Sequence, residues 1–504
     1  MGSPTASNRP NGARITNAPW ARAAPLGLPL VLVGLVGFWN LGAHGMLIWD
    51  EAEYASLGRS LANGEGYQIS GVVNAIRPPL LPLSVAAAFA ATGLQTDWTA
   101  KIPIVLFGLA AIVAVYWIVR RQWGPWPAFA AAWSLAAFPE FATRLVLLLS
   151  EVPFMALYAA ALFSFYVAFQ RGGQWFFWGW AFFALALSTR YTALLFGPTL
   201  ILVFLYECVL DRKRVLERLR SRAIWAAPSI ALLILAPWYW RQWLVSGDAL
   251  VGVKYAATQI PTYNVAAMPW WFYFASAFPA MTAAGALLAV GGLTHGALIA
   301  RKRLAVYALI AATVIVGWHT RYDYKEVRLV TAALPMLAVG VGWAVKAWTD
   351  RWSTHRFVKA IPTLLLLLMT AQSILATGAQ YRFARALGEP SFVDAMTFIR
   401  GATDQDATLI APNQPQAHWY SQRRCLPAPA TPKEFRRRLD EADWVVITNF
   451  ERGQPPYLSE AAKGLRPADT FQGSARIFKD DRYKTVLLRS EWVRAQIDAA
   501  EPKP

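Results

Sequence analysis

WDEAEYASLGRSLANGEGYQISGVVNAIRPPLLP, residues 49–82, follows the first long apolar segment of the chain directly. It sets Asp50, Glu51 and Glu53 close together in an otherwise basic protein, then places Arg77 just ahead of Pro78 and Pro79. The prolines fix an extended turn that leads back into apolar sequence, PLLPLSVAAAFAATG at 79–93. How that piece is read decides the topology. It is about 15 residues long, whereas a helix needs roughly 20 to cross a bilayer core. Counted as a span, it would put every later basic loop on the wrong side. Read as a juxtamembrane or re-entrant helix, it leaves those loops together.

The chain has 504 residues, 56% of them hydrophobic and 15% charged; a soluble domain is nearer half apolar and a quarter charged. Apolar runs of roughly 15 to 22 residues recur. They fall near 26–45, 100–119, 125–140, 151–169, 174–188, 191–210, 223–243, 270–292, 304–319, 328–345 and 360–378. The expected fold class is a polytopic α-helical membrane protein of about eleven spans, with outer juxtamembrane helices and a C-terminal soluble α/β domain. Segment 26–45 has signal-peptide-like chemistry, but no A-x-A-like site ends it and many spans follow, so it reads as a retained first span. The 24 Trp residues suit interfacial belts.

A net charge of +18 would fit a nucleic-acid partner. The charge sits instead in short loops: Arg120 and Arg121, Arg171, DRKRVLERLRSR at 211–222, Arg301-Lys302-Arg303, and Lys346 to Lys359. All fall on the side of the N-terminal arm, as the positive-inside rule expects. No nucleic-acid partner is expected. Cys208 and Cys425 form neither a disulfide framework nor a zinc site.

Three parts follow. Residues 1–25, polar and carrying Arg9, Arg14 and Arg22 without an acid, read as a disordered cytoplasmic arm. Residues 26–379 are the membrane domain, with 46–99 as its first outer loop. Residues 380–504 are charged and read as an extracytoplasmic α/β domain. Its expected helices are SFVDAMTFIRG and TPKEFRRRLDEA, and its strands ATLIAP, DWVVITN and YKTVLLRS. It has no glycine-rich phosphate loop.

The candidate chemistry lies at the outer ends of the spans. Residues 50–66 suit an amphipathic helix lying on the membrane, with Tyr54, Leu57 and Leu61 at helical spacing. Asp50 and Glu51 at its start are either helix-capping acids or a general base facing an arriving acceptor hydroxyl. Arg77 is a snorkelling interface cation or a phosphate contact. Glu151, beside Ser150, is an ordinary first-turn acid or faces Asp50 across one cavity. Arg190 and Arg241 each read first as topology or belt residues. The loop HTRYDYKEVR, 319–328, brings Arg321, Lys325 and Arg328 with Asp323 and Glu326. Three cations on the outer side run against the positive-inside rule, and anion binding would explain them.

Acids and cations together suit transfer of a sugar from a polyprenyl phosphate. Cations stabilise the leaving phosphate, and a carboxylate takes the proton of a weakly nucleophilic hydroxyl. One such displacement inverts the anomeric carbon. The alternative is a transporter or flippase of a lipid-linked sugar; its site would lie near mid-membrane, often within repeats, and no repeat is visible. A scaffold within an envelope-assembly complex is a third reading.

At these residues the chain resembles a C-type (GT-C) membrane glycosyltransferase, of the bacterial branch related to protein O-mannosyltransferases and to the aminoarabinose and galacturonic acid transferases of lipid A. The marks are D-E-x-x-Y at Asp50, Glu51 and Tyr54, R-P-P-L at 77–80, S-E-x-P-F at 150–154, T-R-Y-T at 189–192 and K-E-x-R-L…L-P at 325–335. The resemblance implies a polyprenyl- or dolichyl-phosphate sugar donor, an outer-face active site in the inner (plasma) membrane, and a protein, lipid or glycan acceptor. Asp50 takes the place of the first-loop acid, the family's proposed base, and Glu151 that of the second-loop acid. Arg77, Arg190 and Arg328 take cationic positions near the donor. Glu53 stands where some relatives have Arg. A divalent cation shared by Asp50 and Glu151 stays open, without a His cluster to support it.

Overall fold

The computed structural model describes residues 19–262, 267–352, 356–386, 390–450, 455, 457–458 and 473–500. Among them, 7 helices are long and apolar enough to cross a membrane: Asp97–Trp123, Glu151–Arg171, Tyr191–Leu219, Arg222–Ser246, Arg303–Thr320, Val327–Arg351 and Ile361–Arg382. The pair Phe272–Met281 and Ala283–Ile299 is long and apolar enough only when taken together, and is bent by 118° at its break. This is a multi-pass membrane protein. Every expected apolar run is helical, but three are shorter than a span. The run at 26–45 is helical only to Asn40, its apolar part being Pro25–Asn40; residues 174–188 form Trp175–Leu187; and the run at 125–140 stops at Ala137 because Pro139 opens a new short helix. Of the N-terminal arm, residues 1–18 lie outside the described residues and 19–25 open the first helix.

Residues 79–93 form the 13-residue helix Leu80–Thr92, closed by Gly93 at φ 69°. At 1.5 Å per residue it is roughly 20 Å long, less than the ~30 Å hydrocarbon core. The preceding helix, Trp49–Ala62, departs from expectation. The amphipathic pattern predicts one covered face, whereas the helix is buried within the protein from Glu51 to Ser60. Leu80–Thr92 crosses it so closely that a Cβ on Gly58 would run into Val85. Helix Gln414–Ser421, from the C-terminal region, covers another side. An amphipathic pattern shows which face is apolar; it does not show that distant chain will cover the polar face.

Helix Glu151–Arg171 is the most enclosed of the spans, 94% of its apolar window buried. Behind it, the Ala283–Thr294 and Leu334–Arg351 helices meet at Gly292 and Gly340, where an added Cβ would strike the facing backbone. Small residues let helices approach where lipid gives no hydrophobic drive.

The C-terminal region holds a five-stranded sheet. In chain order, a small hairpin pairs β1 (Gln68–Ile69) with β2 (Val72–Val73), and the sheet contains β3 (Thr408–Ala411), β4 (Arg424–Pro427), β5 (Trp444–Thr448), β6 (Ala475–Lys479) and β7 (Lys484–Arg489). Its order is β4-β3-β5-β7-β6, parallel around β3 and antiparallel at β7. The three expected strands are β3, β5 and β7, the ones richest in buried β-branched and leucine residues. Strands β4 and β6, and helix Gln414–Ser421, have no counterpart in the sequence reading.

Candidate active site

Asp50 is the second residue of helix Trp49–Ala62. At helical spacing, Asp50, Glu53 and Tyr54 share one face, and Glu51 is turned about 100° away. Two arginines meet the Asp50 carboxylate. Arg77, fixed ahead of its prolines, donates from Nη2 to Oδ1 at 2.6 Å; Arg328 donates from Nη1 to Oδ2 at 3.3 Å. Arg77 also donates from Nε to Glu53 Oε2 at 2.8 Å, and Asn74 Nδ2 donates to Glu53 Oε1 at 3.1 Å. The arginine is thus held by two carboxylates on successive turns of one helix.

A second pair stands beside the first. Glu151 opens the enclosed helix, and Arg190 Nη1 donates to its Oε1 at 2.7 Å and to Ser150 Oγ at 3.2 Å. Tyr54 donates to the same Ser150 Oγ at 3.4 Å, which links the two acid helices. Glu151 Oε2 is buried and, among the described residues, accepts no hydrogen bond. Burial pushes the Asp50 pKa up, but Arg77, Arg328 and Arg190 outweigh it and hold the carboxyl below the usual aspartate value. Burial opposes the Arg77 charge too, yet Asp50 and Glu53 keep it firmly protonated. The Arg328 turn, Val327–Ala333, reaches further. Its Val327, Val330 and Thr331 line an apolar cavity of about 880 Å³ between the broken helix pair and the Arg303–Thr320 and Leu334–Arg351 helices. One turn of chain therefore carries both an arginine of the site and part of the wall of the apolar cavity.

Residues 76–240 match the family model described as dolichyl-phosphate-mannose-protein mannosyltransferase. Among solved structures, the chain is similar to ArnT from Cupriavidus metallidurans bound to undecaprenyl phosphate, with TM-score 0.72 and 14% identity over 92% of this chain and 98% of that one. The apo state of that protein gives TM-score 0.70 and 15% identity over 96% and 100%. The apo oligosaccharyltransferase of Archaeoglobus fulgidus gives 0.63 and 12% over 85% and 70%. The chain has the GT-C glycosyltransferase fold. No curated protein matches it by sequence.

Within this GT-C frame the remaining candidates separate. Glu51 is fully buried and turned away from the arginines. Its Oε2 accepts the Ile48 N–H at 3.3 Å and lies 3.4 Å from His44; its Oε1 accepts the Leu148 N–H at 2.9 Å and lies 4.0 Å from Lys101. Burial raises its pKa, while Lys101, His44 and the Leu148 amide bring it below the usual value. It closes the helix start onto the chain before Glu151. Lys325 is also buried, and its ammonium donates to the carbonyls of Met268, at 2.9 Å, and Tyr322. Arg241 donates to the carbonyls of Asn74, at 2.8 Å, and Tyr67, at 3.2 Å, and stacks over Tyr67 and Trp238. Its contacts clamp the hairpin loop that delivers Arg77. The structure therefore brings together Asp50, Tyr54, Arg77, Glu151, Arg190 and Arg328, and gives Glu51, Lys325 and Arg241 supporting partners.

Three residues at the site were not among the sequence candidates. Glu53 was legible from its i+3 spacing to Asp50. Ser150 was marked only as the first position of S-E-x-P-F, and Asn74 only by lying three residues before Arg77. As for a metal, Asp50 and Glu151 each engage arginine, and among the described residues no three His, Cys, Asp or Glu side chains gather to hold an ion.

Proposed function

We propose that the chain is an inverting glycosyltransferase that moves a sugar from a polyprenyl-phosphate donor to an acceptor hydroxyl on the outer face of the membrane. One observation carries this reading: Asp50 is gripped by Arg77 and Arg328, and the turn bearing Arg328 also walls the apolar cavity. A lipid phosphate needs that pairing, with cations for its head and an apolar space for its tail. In the reaction the acceptor oxygen attacks the anomeric carbon while Asp50 takes its proton. The bond from that carbon to the phosphate oxygen breaks, and the electron pair leaves with the phosphate. Arg77, Arg328 and Arg190 stabilise the charge that develops there.

The arginines that hold Asp50 are those a donor phosphate would recruit. As phosphate draws them, Asp50 loses the charges that lower its pKa, while its burial persists. The base becomes stronger once the donor is bound. Two similar proteins favour a lipid-phosphate donor: the ArnT structure contains undecaprenyl phosphate, and one structure of the archaeal oligosaccharyltransferase AglB contains dolichol-phosphate. The positive-inside rule favours the outer face: Arg171 ends the helix that Glu151 opens, and Arg120, Arg121 and Arg301 to Arg303 gather with Arg171 at that end of the bundle. With the three shorter apolar helices Pro25–Asn40, Pro125–Ala137 and Trp175–Leu187 and the bent pair counted as crossings there are eleven, and the same rule then favours a cytoplasmic N-terminus and an outer C-terminal region, in an inner (plasma) membrane. Protein, lipid and glycan acceptors all remain within this reading.

The test is transfer from radiolabelled polyprenyl-phosphate sugars to a crude envelope extract, with purified wild type and Asp50→Asn in detergent. Label reaching the extract with wild type alone supports the reading and names the sugar. Equal transfer by both proteins removes Asp50 from catalysis. Intact donor bound but never cleaved, by any member of the panel, would favour a flippase.

A further inference from the structure

At the opposite end of the bundle from Asp50, Arg171, Arg214, Arg301, Lys302 and Arg303 converge on one cavity of about 530 Å³, walled by Trp123 and Tyr166. Glu151 and Arg171 begin and end the same helix; at 1.5 Å per residue this separates the cavity from the acids by roughly 30 Å, about one bilayer core. Two of the five cations are neutralised. Arg303 pairs with the buried Glu207 at 3.3 Å, itself held by Tyr307, and Arg214 pairs with Asp211 at 3.2 Å. Among the described residues, no carboxylate pairs with Arg171, Arg301 or Lys302.

The positive-inside rule accounts for cations at this end of the helices. It does not account for three cations without a carboxylate partner gathering round a single cavity, where their repulsion opposes folding; Lys302 has the Trp343 ring 5.2 Å away. Arg301 adds a second, independent observation. It sits at φ 49°, in the left-handed region, just after the helical turn His295–Ile299. Glycine is the usual residue at such a helix end, because a side chain there is strained. The strain holds a guanidinium on the rim of the cavity.

We propose that this cavity binds a phosphate group, and its place at a membrane end of the bundle favours the phosphodiester headgroup of an anionic phospholipid. The three cations without a carboxylate partner receive its oxygens, and Arg303 and Arg214 hold the walls through Glu207 and Asp211. The site is separate from the transfer reaction and stands whether or not that reading holds.

The experiment is native mass spectrometry of the purified full-length chain in detergent, titrated with short-chain phosphatidylglycerol, phosphatidylcholine and inorganic phosphate. Arg301→Gly relieves the strained backbone, so its fold should survive; Arg171→Gln lies outside that turn and serves as a second variant. Wild type should retain phosphatidylglycerol in preference to phosphatidylcholine, and each variant should bind it about tenfold more weakly, as expected for loss of one charge-assisted phosphate contact. Displacement of the lipid by inorganic phosphate would support the site and assign it a soluble source. Equal retention of both lipids by wild type, or unchanged phosphatidylglycerol binding by both variants, would overturn the proposal.

Discussion

Asp50 is a carboxylate in a field of arginines, and its behaviour with pH follows from that. Its pKa in the unloaded protein is depressed, so it is ionised from below the usual aspartate value upward. The acid limb of kcat/KM, which reports the free enzyme, should therefore lie below the ordinary value of about 3.9. The limb of kcat should lie higher, because the bound phosphate draws the arginines away. A pH–rate series on the purified enzyme checks this; a kcat limb at or below that of kcat/KM would contradict it. Asp50→Asn should lower kcat by about 10²–10⁴-fold, the usual worth of a general base, with the fold intact by circular dichroism. Glu51→Gln should behave differently. It strips the charge facing Lys101 inside the protein, which costs about 3–5 kcal/mol when one partner of a buried pair is removed. A fallen Tm is the expected result, and restoration of Tm in Glu51→Gln with Lys101→Met would assign the loss to that pair.

Helix Trp49–Ala62 is gripped from its far side by the C-terminal region. Trp419 Nε1 donates to Asp97 at 2.7 Å, and Tyr420 donates to the same carboxylate at 3.2 Å while accepting the Met46 N–H at 2.7 Å. Arg59, on the helix itself, donates to the Trp419 carbonyl at 3.0 Å and lies 3.6 Å over its ring. Asp97→Asn weakens two charge-assisted bonds, each worth about 1.5–3 kcal/mol. Faster amide exchange in Trp49–Ala62 and Gln414–Ser421, but not in Glu151–Arg171, is the expected outcome. Uniform exchange across all three would mean that the contact does not secure the helix. The face presented by Asp50, Glu53 and Tyr54 could be read from spacing. The grip could not, because Asp97 and Trp419 are 322 residues apart. For the same reason Lys325 reads as a phosphate ligand until its partner, the Met268 carbonyl, is seen to lie 57 residues away.

Across the molecule, Glu151 and the basic pocket lie at opposite ends of one helix, Glu151–Arg171. This gives a direct test of orientation. Exposed Lys433, in the C-terminal region, and exposed Lys213, in the basic run, can each be changed to Cys in intact cells. A membrane-impermeant maleimide should label Lys433→Cys before lysis and Lys213→Cys only afterwards. The reverse order would invert the topology and put the acids in the cytoplasm.

Apolar run lengths, basic loops and buried strand patterns are local properties, and they suffice for the helical membrane bundle, the α/β tail and the acids and arginines at one end. Partition into lipid acts on each segment separately, so its signal survives in a linear chain. Contacts between distant segments leave no such trace. Only the folded arrangement reveals that Trp49–Ala62 is covered by distant chain, that Glu51 serves the helix start while Asp50 meets the arginines, and that Arg241 holds a loop. Each of these depends on which polar atom finds a partner once burial has removed water, and tertiary packing makes that choice.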